Sequence, residues 1–359
     1  MLSSLELNQF RCFETLQLEL HSGLTIFVGN NAQGKTSILE AACALLRLQS
    51  PRTSTLGDLS RIAVGAGQGF AVRGKFDDCE LALRHSARGG RKLAVDGENQ
   101  GRASTYLRYS GLLVWIASDD LTLVKGGGSL RRRYLDFMAC QLYPAYRPSL
   151  KAYERALRSR NFLLKRDASP NWAQIDAYSK ILVENGAILT RSRRELITDL
   201  APLATAAQKQ ISESGENLQI DYLAASGDDD DLAAELQHRR PDEQRRRQTL
   251  AGPHRDDLIF SINDLPAAKF SSEGQQRTLA LALKLAQSHL FIKKTARPPV
   301  LLIDDVFGEL DPDRRNALMR SWPADSQKLI TTTHLDWLDS SRVEARIWKV
   351  EAAQVIAAE

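Results

Sequence analysis

Eight consecutive residues, Gly29-Asn30-Asn31-Ala32-Gln33-Gly34-Lys35-Thr36, carry the clearest chemistry in the chain. Two glycines separated by four residues, then lysine and a hydroxyl, follow the pattern G-x-x-x-x-G-K-[ST]. The glycines let backbone N–H groups close around phosphate oxygens. A helix starting at the lysine adds partial positive charge at the same point. Lys35 is expected to reach the β- and γ-phosphates of ATP and Thr36 to ligate Mg²⁺. Gly29, Asn30, Asn31, Gly34, Lys35, Thr36 and Ser37 are the candidate nucleotide contacts.

Such a loop needs a carboxylate near the metal, at the end of another apolar strand. Leu301-Leu302-Ile303-Asp304-Asp305 supplies two. Asp304 is the metal candidate, and Asp305 is placed to orient or deprotonate an attacking water. His334, beyond the apolar run Lys328–Thr333, is a candidate sensor of the γ-phosphate and joins Asp305 and Lys35 in the expected catalytic set.

These groups demand particular supports. Leu24-Thr-Ile-Phe-Val28 reads as a buried strand entering the loop, and Ser37–Arg47 as the helix leaving it. Pro299–Ile303 and 328–333 read as further strands, and Gln275–Lys294 as a long amphipathic helix. Residues 1–28 begin with two alternating strands. Between about 60 and 117 the pattern is β, with 70–76, 80–84 and 111–116 as strands and Asp96-Gly97 as a hairpin turn. From 119 to 213 it is helical, in stretches beginning near 131 and 171. Asp228–Asp231 reads as an exposed loop, and 258–262 as a strand turning at Asn263-Asp264.

Lys35 and Asp304 lie 269 residues apart, so a large insertion separates elements that must meet. Ahead of the second motif stands Ser271-Ser272-Glu273-Gly274-Gln275, which resembles the S-x-G-Q signature of ABC-type ATPases. A serine hydroxyl and N–H groups at a helix start can cap a phosphate; they can equally form a plain N-cap. The resemblance implies that Ser272, Gly274 and Gln275 close on ATP held by a second copy, giving an ATP-dependent homodimer. Glu309-Leu310-Asp311 matches the family's D-loop, with Asp311 at the nucleotide interface, and His334 falls at its switch histidine. Asp305 stands where most of the family has glutamate; the shorter side chain implies slow hydrolysis, with ATP acting as a clamp.

The opening Leu5-Glu-Leu-Asn-Gln-Phe-Arg-Cys-Phe13 resembles the SMC-like branch. Within it, Ser118–Lys125, Arg131-Arg-Arg-Tyr-Leu-Asp136 and Gly252-Pro-His-Arg-Asp256 resemble the RecF family along essentially the whole chain. That resemblance implies a weak DNA-stimulated ATPase of recombinational repair. It implies binding to duplex beside single-stranded gaps, and partnership with RecR and RecO ahead of RecA loading. Gly252–Asp256 is either a loop whose charges cap a neighbouring helix or a nucleotide or DNA contact.

The net charge of +4 is small, but its distribution is uneven. Residues 131–167 hold ten Lys or Arg against three acids, an excess of +7. A solvated face and a sequence-independent phosphate-tracking surface both fit; among DNA-binding relatives the latter is expected, through Arg131, Arg132, Arg133, Lys151, Arg155 and Arg158. Cys12, Cys43, Cys79 and Cys140 form no C-x-x-C pair, and no run of about 18 apolar residues suggests a membrane span. The N-terminus lacks the pattern of a signal peptide, so a cytoplasmic protein is expected.

The expected fold is α/β: an ABC-type head formed by 1–118 and 251–359, including a β subdomain, around an inserted helical lobe, 119–250. A transporter's nucleotide-binding subunit shares the ATP motifs but has no use for a basic lobe. A structural SMC-like tether needs a long coiled coil.

Overall fold

The structure is a computed structural model that describes residues 1–53, 55–61, 69–166, 169–212, 215–225, 231–338 and 344–358. It divides into two compact units, Met1–Asp119 with Phe291–Glu359, and Asp120–Leu290. The expected lobe, 119–250, lies within the second unit almost entirely, but that unit runs on to Leu290 and so includes the strand 257–262 and most of the long helix. Most of the expected loop 228–231 falls outside the described residues; Asp231 caps a short helix, accepting from Ala234 N–H at 2.9 Å.

In the first unit a six-stranded sheet has the order Gln354–Ala357, Ala345–Glu351, Leu24–Val28, Lys328–Thr332, Val300–Asp304, Leu113–Ala117. Only the first pair is antiparallel. The rest run parallel, with Ile26 opposite Ile330 and Ile347, and Ile303 opposite Ile330 and Ile116. Parallel strands covered on both faces read as continuous apolar runs, which is why 24–28 and 300–304 were plain in the sequence. The hairpin 345–357 mixes Arg346, Lys349 and Glu351 into its pattern and carries no such signal. Helix Lys35–Arg47 packs on this sheet, and Ala41 through Leu46 are fully buried. A helix apolar nearly all round belongs inside.

A second, antiparallel sheet of this unit has the order Phe13–Glu19, Ser4–Phe10, Phe70–Phe76, Cys79–Ser86, Gly90–Val95, Glu98–Asn99. Asp96 and Gly97, at φ 49° and 81°, make its last turn, the left-handed pair a tight hairpin requires.

The second unit is built on a 40-residue helix, Trp172–Ile211. Helix Tyr146–Arg166 packs along it through Tyr146, Ser149, Tyr153, Ala156, Arg160 and Leu164, a set spaced at three and four. This unit is not purely helical. Leu218–Leu223, Asp257–Ile262 and Leu265–Pro266 form a three-stranded antiparallel sheet, with Leu258, Phe260 and Ile262 buried and Ile259 outward. Helix Glu273–Thr295 begins in this unit.

Candidate functional site

Strands running parallel place their C-terminal ends together, and in open α/β sheets ligands bind there. Val28, Thr332, Asp304 and Ala117 end four adjacent strands of the first unit. The phosphate loop leaves the first of them. Gly29 N–H donates to Thr332 O at 3.2 Å, and a Cβ on Gly29 would stand 2.1 Å from the Val350 carbonyl oxygen. Gly34 has φ 109° and starts helix Lys35–Arg47; a Cβ there would meet Cys12 Sγ at 2.7 Å. Both glycines are thus required by space, and the second also by backbone conformation.

Lys35 folds back over the loop, its Nζ donating to the carbonyls of Gly29 and, at 2.8 Å, Asn30. Burial pushes its pKa down, while Asp305 and Asp304 oppose that shift. Thr36 Oγ1 donates to Asp304 Oδ1 at 2.8 Å, and Thr331 Oγ1 donates to the same oxygen at 2.7 Å. Burial raises the Asp304 pKa; the two hydroxyl donors pull it back and Asp305 adds to the rise. Carboxylate and hydroxyl oxygens at one point suit a hard cation such as Mg²⁺, which takes one or two protein ligands and completes its shell with phosphate and water. Thr36 and Asp304 are the residues that fit it.

Asp305 sits at φ 52°, its N–H donating to Thr331 Oγ1 at 3.0 Å, and its carbonyl accepts from Ser118 Oγ at 3.1 Å. This left-handed kink turns its carboxylate out of the strand's alternation. His334 is exposed, its Nδ1 3.0 Å from Thr333 Oγ1. A Cβ on Gly308 would lie 3.4 Å from the His334 ring, and Phe307 stacks on Trp337 at 4.8 Å. The segments after strands Val300–Asp304 and Lys328–Thr332 are therefore packed on each other. Asp311 is exposed and caps helix Pro312–Ser321, accepting from Arg314 N–H at 2.9 Å. Among the sequence candidates, the first unit brings together Lys35, Thr36, Asp304 and Asp305.

Two supports escaped the sequence. Gln33 clips the loop to the terminal hairpin, its side-chain oxygen accepting from Ala352 N–H and its carbonyl from Ala353 N–H. Glu40, fully buried on the helix behind the loop, takes both arms of Arg11 at 2.7 Å. Arg11 lies in the opening that suggested the SMC-like branch, but nothing local pairs it with a glutamate 29 residues away.

The second unit holds the other candidates. Ser272 Oγ accepts from Gln275 N–H at 3.2 Å, and Gln275 Oε1 accepts from Ser272 N–H at 2.8 Å, a reciprocal cap on the long helix. Gln275 Nε2 also donates to Glu216 at 2.8 Å. Ser272 is exposed and Gly274 half-buried.

The basic stretch needs correction. Arg131 grips Asp257 with two bonds of 2.7 and 2.8 Å and is 12% exposed. Arg132 donates to Asp256 O at 2.7 Å. Both guanidinium groups are engaged internally and leave the DNA-facing set. Arg160 is likewise inside, against Glu243 at 2.6 Å and Thr249 at 2.8 Å. Arg133, Lys151, Arg155 and Arg158 are exposed.

Gly252, Pro253 and Asp256 are buried within the unit, whereas Arg255 is exposed and donates to Thr249 O at 3.1 Å. Arg193, 2% exposed, donates to Asp136 at 2.7 Å, Asp256 at 3.0 Å, Pro253 O at 2.7 Å and Tyr146 Oη at 2.8 Å. Tyr222 adds its hydroxyl to Asp256. His254 Nε2 faces Thr249 O at 3.2 Å, and its Nδ1 faces Tyr153 Oη at 2.7 Å. A carbonyl only accepts, so Nε2 carries the proton and Nδ1 accepts from the tyrosine. Burial pushes the imidazole pKa down to about 4; the bond to Thr249 O opposes this, and Arg255 and Arg132 reinforce it.

Residues 4–226 match the family described as AAA domain. A DNA replication and repair protein RecF of Rippkaea orientalis is 38% identical, covering 99% of each chain. Those of Nostoc punctiforme, 38% identical, and Shouchella clausii, 35% identical, match over 99% of each chain as well. The solved structure of the recombination mediator protein RecF-ATPrS in RecFOR pathway superposes with TM-score 0.89 at 27% identity, covering 100% of this chain and 98% of that one. An Smc head bound to the C-winged helix domain of ScpA, 16% identical with TM-score 0.55 over 100% of this chain and 97% of that one, shares the fold. Among the described residues no helix is long and apolar enough to cross a membrane.

Proposed function

The chain belongs to the RecF family of DNA replication and repair proteins, and from that membership we propose that it binds ATP with Mg²⁺ and, so loaded, closes as a dimer on DNA. The observation that carries this reading is the convergence of Lys35, the Thr36–Asp304 bond and Asp305 at the ends of parallel strands. Lys35 exchanges the Gly29 and Asn30 carbonyls for the β- and γ-phosphates. Thr36 and Asp304 hold Mg²⁺, which when bound neutralises charge on the transferred phosphoryl group. Asp305 orients the attacking water, His334 senses the γ-phosphate, and Asp311 lies at the nucleotide interface between the two copies. The short Asp305 side chain keeps hydrolysis weak, so that ATP works as a switch, and DNA stimulates it.

The reciprocal cap at Ser272, with Gly274 and Gln275, closes on ATP held by a second copy. Its exposure supports this role. The exposed Arg133, Lys151, Arg155 and Arg158 bind phosphates without reading sequence, so DNA affinity falls steeply with salt. The proposed role extends to action at single-strand gaps with RecR and RecO, ahead of RecA loading in the cytoplasm; the description of a solved relative as a recombination mediator in RecFOR pathway supports the repair role.

Sedimentation with ATP and Mg²⁺, with and without gapped duplex, tests the reading. Wild type is expected to dimerise, while Lys35→Met and Ser272→Arg remain monomeric. A wild type that stays monomeric with ATP on DNA overturns the sandwich.

A further inference from the structure

Helix Tyr146–Arg166 has one packed face and one outward face of unusual composition. Lys151, Arg155, Arg158, Phe162, Lys165 and Arg166 are all exposed. At about 100° per residue these six fall within roughly 100° of arc, opposite the buried Tyr146–Leu164 row. Glu154 stands at the margin of the stripe. Phe162, 63% exposed, shares with Phe270 the highest exposure among the large hydrophobic side chains described. Among the described residues no packing inside the unit explains a phenylalanine there, and its neighbours on the face at i−4, i−7, i+3 and i+4 are all cationic.

Cations flanking an outward aromatic ring are complementary to a nucleic-acid strand, whose backbone is uniformly negative and whose bases each offer a stacking face. Lys151, Arg155, Arg158, Phe162 and Lys165 follow one another at about 4.5–6 Å on the helix axis, close enough for neighbouring residues to take neighbouring phosphates. A base within intact duplex already has both faces stacked. The base that can use Phe162 is an unpaired one.

We propose that Phe162 is the stacking platform for an unpaired base where duplex meets single strand, with Arg155, Arg158 and Lys165 holding the phosphates on either side. This rests on the DNA-binding reading and adds to it the group that distinguishes a gap from plain duplex. The residue acts in binding; ATP hydrolysis in the absence of DNA does not involve it.

The test uses the full chain with ATP and Mg²⁺, and three DNAs of equal duplex length: blunt, single-strand tailed and gapped. 2-Aminopurine occupies the first unpaired position of the latter two. Phe162→Ala is expected to weaken tailed and gapped DNA on the order of ten-fold, to leave blunt duplex within about two-fold, and to abolish 2-aminopurine quenching. Phe162→Trp restores both. Arg155→Ala with Arg158→Ala weakens all three DNAs and lowers the salt slope by roughly two. Thermal melting of each variant within a few degrees of wild type confirms that the fold is intact. Unchanged tailed-DNA affinity and quenching in Phe162→Ala overturn the proposal while leaving the DNA-binding reading in place. Equal losses on blunt and tailed DNA also overturn it, moving the ring to the duplex. If wild type binds none of the DNAs in a salt-dependent way, both readings fall together.

Discussion

The phosphate loop of the first unit and the Arg193 cluster of the second both take a cation nearly out of water, and they satisfy it in opposite ways. Lys35 is 6% exposed and donates to two neutral carbonyls of its own loop. Arg193 is 2% exposed and is held by two carboxylates, a carbonyl and a phenol. Neutral partners can be exchanged for phosphate at modest cost. A buried pair of opposite charges cannot, because separating it leaves a charge with no water and no partner. The difference separates a cation whose partners can be exchanged from one whose partners cannot.

The largest expected effect breaks the knot. Arg193→Met leaves Asp256, fully buried, without its cation. The unfolding free energy is expected to drop by about 3–5 kcal/mol, read from the urea transition of the full chain. A change below about 1 kcal/mol would show that the cluster is not a lock.

A second test titrates the same region. His254 has a folded pKa of about 4 against an ordinary 6.5. Between those values the unfolded chain binds more protons than the folded one, so stability rises with pH across the window. The contribution is therefore complete above pH 6.5 and is lost as the pH falls towards 4. With allowance for partial exposure it is on the order of 2–3 kcal/mol. Urea midpoints measured from pH 7.5 to 4 should fall less steeply in His254→Gln than in wild type. Parallel curves would remove the histidine from the account.

The loop should behave in the reverse sense. Lys35→Met is expected to cost ATP affinity on the order of 1.5–3 kcal/mol, the worth of hydrogen bonds to a charged partner. Its unfolding free energy should stay within about 1 kcal/mol of wild type, since the lost bonds are to carbonyls that water can reach as the lysine leaves. Calorimetric titration with ATP and a urea curve on the same sample separate the two. A variant destabilised as much as Arg193→Met would erase the contrast between the regions.

How much of this was legible follows from the range of the interactions. The loop is legible because its chemistry is contiguous: Gly29 through Thr36 lie in one run, and apolar strands flank both it and Asp304-Asp305. The parallel core is legible because strands covered on both faces leave no polar residues to confuse the pattern. A basic triplet looks the same in sequence whether its charges meet water or, as with Arg131, an aspartate 126 residues away. Gly252–Asp256 is illegible in sequence for a related reason: Asp256 is one end of a bond whose other end, Arg193, is 63 residues distant. The terminal hairpin's grip on Gln33 joins residues 319 apart and has no local signature. The lobe boundary moved because a strand in the 251–290 stretch, Asp257–Ile262, pairs with Leu218–Leu223, which the helical pattern upstream concealed.

The smallest expected effect concerns the group for which the loop's logic and the knot's logic compete. Ser272 is engaged in a reciprocal cap, yet its partner is a neutral backbone N–H, as Lys35's partners are neutral carbonyls. Ser272→Ala removes that bond and should cost about 1 kcal/mol of stability, well below the Arg193 variant. If the hydroxyl also meets phosphate across a dimer, ATP-dependent dimerisation should weaken by more than the monomer loses in stability. Ser272→Thr should then retain the cap while crowding the approach of a second copy. Equal losses in folding and association for Ser272→Ala, with Ser272→Thr like wild type in both, would assign the serine to its own helix alone.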